Sequence, residues 1–111
     1  MREYITNAHC PRCHKMLRLS PVTDYVFYCE ECDEDFYGIE VNDIRGDFFE
    51  ISPVMSYEEY QKLLPEIKAN FKDAIFIGYD NPMGVCDIGF DDFPSSKRIK
   101  EIMKFFDVEE K

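Results

Sequence analysis

No stretch of this sequence approaches the roughly 18 consecutive apolar residues of a membrane-spanning helix. The opening Met1-Arg2-Glu3-Tyr4-Ile5-Thr6 lacks the apolar core of a secretory leader. Basic residues are scarce: 13 Lys and Arg stand against 23 Asp and Glu in 111 residues, a formal net charge of -10. A broad nucleic-acid-binding face or an anionic membrane contact needs clustered Lys and Arg, so this balance argues against both. There is no Gly-rich phosphate loop, and Ser, His and Asp are scattered without a nucleophile–base spacing. These absences point to a soluble, cytoplasmic, non-enzymatic protein. Aromatic residues, by contrast, are plentiful, with ten Phe and seven Tyr in a chain that is 45% hydrophobic. Such a chain folds and does not persist as an acidic disordered tail. At this length it buries roughly two-thirds of its unfolded surface, which gives an adequate but modest core.

Five cysteines are present, and four of them form a pattern. Cys10-Pro11-Arg12-Cys13 and Cys29-Glu30-Glu31-Cys32 are two C-x-x-C pairs separated by fifteen residues. Each pair places two sulfurs on one side of a tight bend, and two facing bends supply the four tetrahedral thiolates that suit zinc. Disulfides would leave Cys86 unpaired, and a thioredoxin-like redox centre needs one C-x-x-C opening a helix. Rubredoxin-type iron uses two C-x-x-C pairs too, but the missing knuckle glycines and the short spacer argue against it.

The flanks of the pairs read as short strands: residues 4–6, 16–19, 26–28 and 36–41, with turn chemistry at Ser20-Pro21-Val22-Thr23-Asp24. Strand, knuckle, strand, turn, strand, knuckle, strand is the plan of a zinc ribbon, and residues 1–42 resemble that fold group. The resemblance implies one structural Zn²⁺ per chain, held by Cys10, Cys13, Cys29 and Cys32. His9 and His14 flank the first pair but find no vacancy, and a full set of four thiolates provides no open position for catalysis. The metal is then a staple whose binding free energy, on the order of 10 kcal/mol, is folding free energy. The residue after a knuckle often needs a left-handed backbone and is commonly Gly. Here it is His14 or Asp33, which tolerate that region better than most residues.

Charge is unevenly distributed. Residues 1–32 carry four basic and four acidic residues, whereas 33–111 carry nine and nineteen. The first knuckle is basic (Arg12, His14, Lys15, Arg18), while Glu30-Glu31-Cys32-Asp33-Glu34-Asp35 is acidic. Such runs are expected as solvated loops.

Beyond residue 42 the sequence reads as an acidic α+β module over 43–111, one compact unit with the ribbon. Residues 47–51 form a strand ending at Ser52-Pro53. Ser56 and Glu59 make a capping box for a helix with Tyr57, Tyr60, Leu64, Ile67 and Phe71 on one face. Pro65 interrupts this pattern and predicts a kink or a second helix. Residues 74–79 and 85–90 form a hairpin around a five-residue turn, 80–84. In its second strand Cys86, Ile88 and Phe90 face the core. Ser95 or Ser96 caps a final helix with Ile99, Ile102, Met103 and Phe106 on one face and Lys97, Arg98, Lys100 and Lys104 as a solvated basic cluster.

The fold class expected is therefore α+β, an antiparallel four-cysteine ribbon packed with a hairpin-and-helix module. The function expected is an acidic protein–protein interaction, inhibitory or regulatory module, of phage-regulator, immunity-protein or nucleic-acid-mimic type. Its partner would be a basic or mixed-charge protein. Some toxin-immunity families look similar in their paired knuckles, although theirs usually end in Gly. Two alternatives stand beside it. One is a transcription- or nucleic-acid-associated ribbon using Arg12, His14, Lys15 and Arg18. The other is an enzyme using Asp80, Asp87, Asp91 and Asp92 around the hairpin.

Overall fold

The computed structural model describes residues 2–22, 24–41 and 48–107. Four short strands come first: β1 (Tyr4–His9), β2 (Met16–Leu19), β3 (Phe27–Cys29) and β4 (Glu34–Phe36). A 3-10 turn (Gly38–Glu40) follows, then β5 (Phe49–Pro53), α1 (Tyr57–Asn70), the hairpin β6 (Phe76–Asp80) and β7 (Val85–Phe90), and α2 (Ser96–Asp107). Among the described residues the strands make one seven-stranded sheet in the order β4-β3-β2-β1-β5-β7-β6. Every pairing in it is antiparallel. With two helices, this is the α+β arrangement expected.

β5 joins the two halves of the chain. It pairs with β1 through Tyr4↔Pro53, Ile5↔Ser52 and Thr6↔Ile51, and with β7 through Phe49↔Phe90, Glu50↔Gly89 and Ile51↔Ile88. Where β1 diverges beyond Thr6, the Asn7 side chain replaces the ladder. Its amide donates to the Phe48 carbonyl at 2.6 Å and accepts from the Glu50 N–H at 2.8 Å. A bulge interrupts the β1–β2 register between Ile5 and His9. The buried Thr6 hydroxyl serves it, donating to the Leu17 carbonyl and accepting from the Ala8 N–H.

Strand alternation sorts the side chains onto two faces. Tyr4, Leu17, Phe27, Ile51, Cys86 and Ile88 point to one side and are buried there with Leu63, Ile67 and Phe71 from around α1 and Ile99, Ile102, Met103 and Phe106 of α2. Phe71 and Phe106 stack at 5.7 Å, and Tyr4 lies 6.2 Å from Phe106. The expected α2 face and the buried position of Cys86, Ile88 and Phe90 are both observed. The opposite sheet face carries Ile5, Asn7, Met16, Arg18, Glu50 and Asp87, with no helix over it among the described residues.

Several local expectations need correction. The strand expected at 36–41 lies earlier, at Glu34–Phe36, and residues 37–41 are not part of it. Asp33 turns the chain at φ 51, so pairing starts at once with Cys29↔Glu34 and ends at Phe27↔Phe36. The Glu40 carboxylate then accepts from the Tyr37 N–H at 2.7 Å and folds the next residues into the 3-10 turn. α1 runs from Tyr57 to Asn70 through Pro65, so no second helix forms. Its buried stripe includes Leu63, whereas Leu64 is half-buried and Tyr57 is 49% exposed. The hairpin turn is four residues, not five, because Asp80 pairs with Val85 and Gly84 closes the turn at φ 69. The strand expected at 74–79 starts at Phe76, since the Ala74 N–H is bonded to Phe71 after the helix. Asp47, expected in a strand, and the boundary expected at 42/43 lie outside the described residues.

The basic helix is also less solvated than expected. Arg98 forks onto Asp73 at 2.8 and 3.0 Å and donates to the Asn70 carbonyl at 2.9 Å, closing the C-terminal end of α1. Lys100 donates to the Ser20 and Val22 carbonyls. Lys97 and Lys104 are exposed.

Candidate metal centre

The two knuckles lie at the turns between β1 and β2 and between β3 and β4. In the first, the Cys10 N–H donates to Lys15 and the His14 N–H to Cys10, at 2.8 and 2.9 Å. The N–H groups of Arg12 and Cys13 point at the Cys10 sulfur from 3.3 and 3.5 Å, and the Cys32 N–H points at the Cys29 sulfur from 3.4 Å. His14 and Asp33 sit at φ 66 and φ 51, the only non-glycine residues with positive φ among those described. These are the two positions where a knuckle glycine was missing. Asp33 is further held by the Tyr28 hydroxyl, which donates to its carboxylate at 2.7 Å.

Four ligand sulfurs, those of Cys10, Cys13, Cys29 and Cys32, lie within 4.8 Å of one another and can hold a metal ion. The Cys13 and Cys29 sulfurs approach to 3.5 Å. In a tetrahedral tetrathiolate site with metal–sulfur bonds of about 2.3 Å, neighbouring sulfurs are about 3.8 Å apart. The cluster therefore matches in number and spacing. Cys10 and Cys29 are buried, while Cys13 and Cys32 are half-buried, so the site lies at the edge of the core.

Close packing shifts the thiols in opposite directions. Burial alone would raise Cys10, but N–H donation from Cys13 and Arg12 and the neighbouring thiols bring it down to about 7. Cys32 is pushed up to about 12 by its contact with the Cys13 thiol and by burial, and burial also raises Cys29. Crowding and burial thus disfavour the thiolates of Cys29 and Cys32, a cost that a divalent cation would offset.

The opposed charges of the knuckles meet directly. Arg12 pairs with Glu34 at 2.6 Å, Lys15 with Glu31 at 3.4 Å, and Arg18 with Glu30 at 3.2 Å and also with Glu3. The acidic run and the basic knuckle are thus joined by exposed ion pairs. The runs stay largely exposed, as expected of solvated loops, but their pairing was not foreseen, because the partners are twelve or more residues apart and only knuckle pairing brings them together.

The remaining candidates are dispersed. His14 is exposed, and the half-buried His9 ring contacts the Asn7 carbonyl, so neither joins the sulfurs. Burial pushes the Cys86 thiol up to about 12, as befits a core residue. Asp80 and Asp87 share the uncovered sheet face, but Asp91 and Asp92 are exposed beyond the end of β7. Glu50, absent from the sequence candidates, joins Asp80 and Asp87. Burial followed by their charge holds its carboxyl above the usual range. Local pattern gave no signal for Glu50, because its position depends on the β5–β7 register. Comparison with family models, curated proteins and solved structures found no match to this chain.

Proposed function

We propose that this chain is a non-enzymatic zinc-ribbon protein, with one structural Zn²⁺ on Cys10, Cys13, Cys29 and Cys32, that acts by binding a basic or mixed-charge protein partner in the cytoplasm. The observation supporting the metal is the closed set of four sulfurs. Four thiolates complete a tetrahedron and leave no position for substrate or reactive water. Among the described residues no helix is long and apolar enough to cross a membrane.

Support for an acidic interaction module comes from how the cations are used. Arg2, Arg12, Lys15 and Arg18, all the basic residues before residue 33, pair with carboxylates of the same chain. This leaves the excess of acid facing outward and the first knuckle with little free positive charge for a phosphate backbone, so nucleic-acid binding is the weaker reading.

Metal analysis of freshly purified, reduced protein is expected to give one zinc per chain; no zinc would contradict the ribbon. Co-purification is expected to recover a protein partner that is lost at high salt. A clean monomer recovering nothing, or tight salt-dependent DNA or RNA binding abolished by Arg12→Glu with Lys15→Glu, would overturn the interaction reading.

A further inference from the structure

Every ion pair found among the described residues lies at the knuckles, along the N-terminal edge or around the helices. The uncovered sheet face differs. Glu50 of β5, Asp87 of β7 and Asp80 of β6 point to it together, as the registers Glu50↔Gly89, Gly78↔Asp87 and Asp80↔Val85 require. Asp87 accepts a 2.7 Å hydrogen bond from Ser52, but none of the three carboxylates has a cationic partner among the described residues. Glu50 and Asp87 are half-buried, and both are raised, by burial first and then by neighbouring carboxylates. The fold thus keeps like charges together where water is partly excluded, at a cost that a cation would remove.

An apolar rim borders these acids. Met16 and Met83 are 53% and 56% exposed, and Ile5 lies between them on β1. With the carboxylates they line a hollow of about 120 Å³, which adjoins a groove of about 400 Å³ bordered by Arg18 and Glu30. Exposed methionines are flexible, polarisable surfaces that adapt to an incoming side chain.

We infer that this uncovered sheet face is the docking surface for the partner, and that it receives a Lys or Arg side chain flanked by apolar residues of a partner protein. This rests on the interaction role proposed above and assigns it a location. Charge complementarity selects the occupant. The apolar stem of a lysine or arginine lies along Ile5, Met16 and Met83, while its charged head reaches Glu50, Asp80 and Asp87. A second copy of this acidic chain would bring more carboxylates to the same place.

The test uses the full, zinc-loaded chain and a short synthetic peptide of alternating Lys and Leu as probe, with its Glu/Leu counterpart as control. The expected result is saturable binding of the Lys/Leu peptide alone, with NMR shifts centred on Ile5, Met16, Glu50, Met83 and Asp87. The pair Glu50→Gln and Asp87→Asn is expected to weaken binding by about tenfold or more. The pair Glu58→Gln and Glu66→Gln, on exposed positions of α1, should change it by less than about twofold. Met83→Ser, in an exposed turn that no core contact depends on, should weaken it severalfold and serves if the carboxylate variant folds poorly. Equal weakening by the α1 pair, or saturation of the three carboxylates by Ca²⁺ alone, would overturn the assignment. Shifts centred on Glu30, Glu31 and Asp35 would overturn the location while leaving an interaction role standing. No binding of the peptide, together with no partner on co-purification, would overturn both.

Discussion

At the scale of single residues, carboxylates of one chemical type are driven in opposite directions by their surroundings. Glu59 receives two hydrogen bonds from Arg2, at 2.6 and 3.2 Å, and is held below the usual range first by that contact. The stability it contributes is present above the ordinary carboxylate range and lost as pH falls through its lowered pKa. Glu59→Gln is therefore expected to cost about 1 kcal/mol at neutral pH and little in acid. Glu50 is raised, so its sign reverses: the fold favours its protonated form, and stability is lost as pH rises through the raised pKa. Glu50→Gln is expected to leave stability unchanged or higher at neutral pH. Thermal melts between about pH 3 and 7 would show the two variants diverging in opposite senses. His14 offers a second residue-scale expectation. It occupies φ 66 with no glycine freedom, so His14→Gly should stabilise the metal-loaded protein by about 1 kcal/mol in denaturant titration.

Among the elements, α1 departs most clearly from local rules. Pro65 lies inside it, removing one backbone donor, yet the helix is continuous. Packing explains this: Leu63, Ile67 and Phe71 are all buried in the common core, on both sides of the proline. Ser56 caps the start by accepting from the Glu59 N–H, and Arg98 closes the far end through Asn70. Pro65 is exposed, so Pro65→Ala restores a donor without opening a cavity. It is expected to raise stability by up to about 3 kcal/mol, read as a higher denaturation midpoint with an unchanged slope. The capping box foreseen at Ser56 is only half made, because the Glu59 side chain turns away to Arg2. Local pattern located the cap, but Arg2, 57 residues away in the sequence, took one partner.

For the molecule as a whole, the decisive fact is that the ribbon and the C-terminal half share one sheet. Phe27 of β3 meets Phe49 of β5 and Phe93 edge-on at 6.1 and 5.8 Å, and Phe49 lies 4.5 Å from Phe93. Cys10 and Cys29 belong to the same buried cluster as Ile102 and Phe106. Metal removal should therefore not melt the N-terminal strands alone. A strong chelator is expected to shift a single cooperative transition, seen alike by far-ultraviolet dichroism and by tyrosine fluorescence. Two separated transitions would show that the halves are energetically independent.

How much of this was legible in the chain follows from the range of the forces involved. The four cysteine positions, the two left-handed knuckle residues, the cap at Ser56, the core face of α2 and the burial of Cys86 all depend on spacing within a few residues, and the sequence alone determined them. The ends of β4 and β6 were misplaced by local hydrogen bonds at Glu40 and Ala74 that compete with strand pairing. Joining β1 to β5, setting Arg12, Lys15 and Arg18 against Glu34, Glu31 and Glu30, and gathering Glu50, Asp80 and Asp87 on one open face all depend on register between distant strands. A one-residue slip would turn those side chains to the opposite face, so only the tertiary structure could decide them.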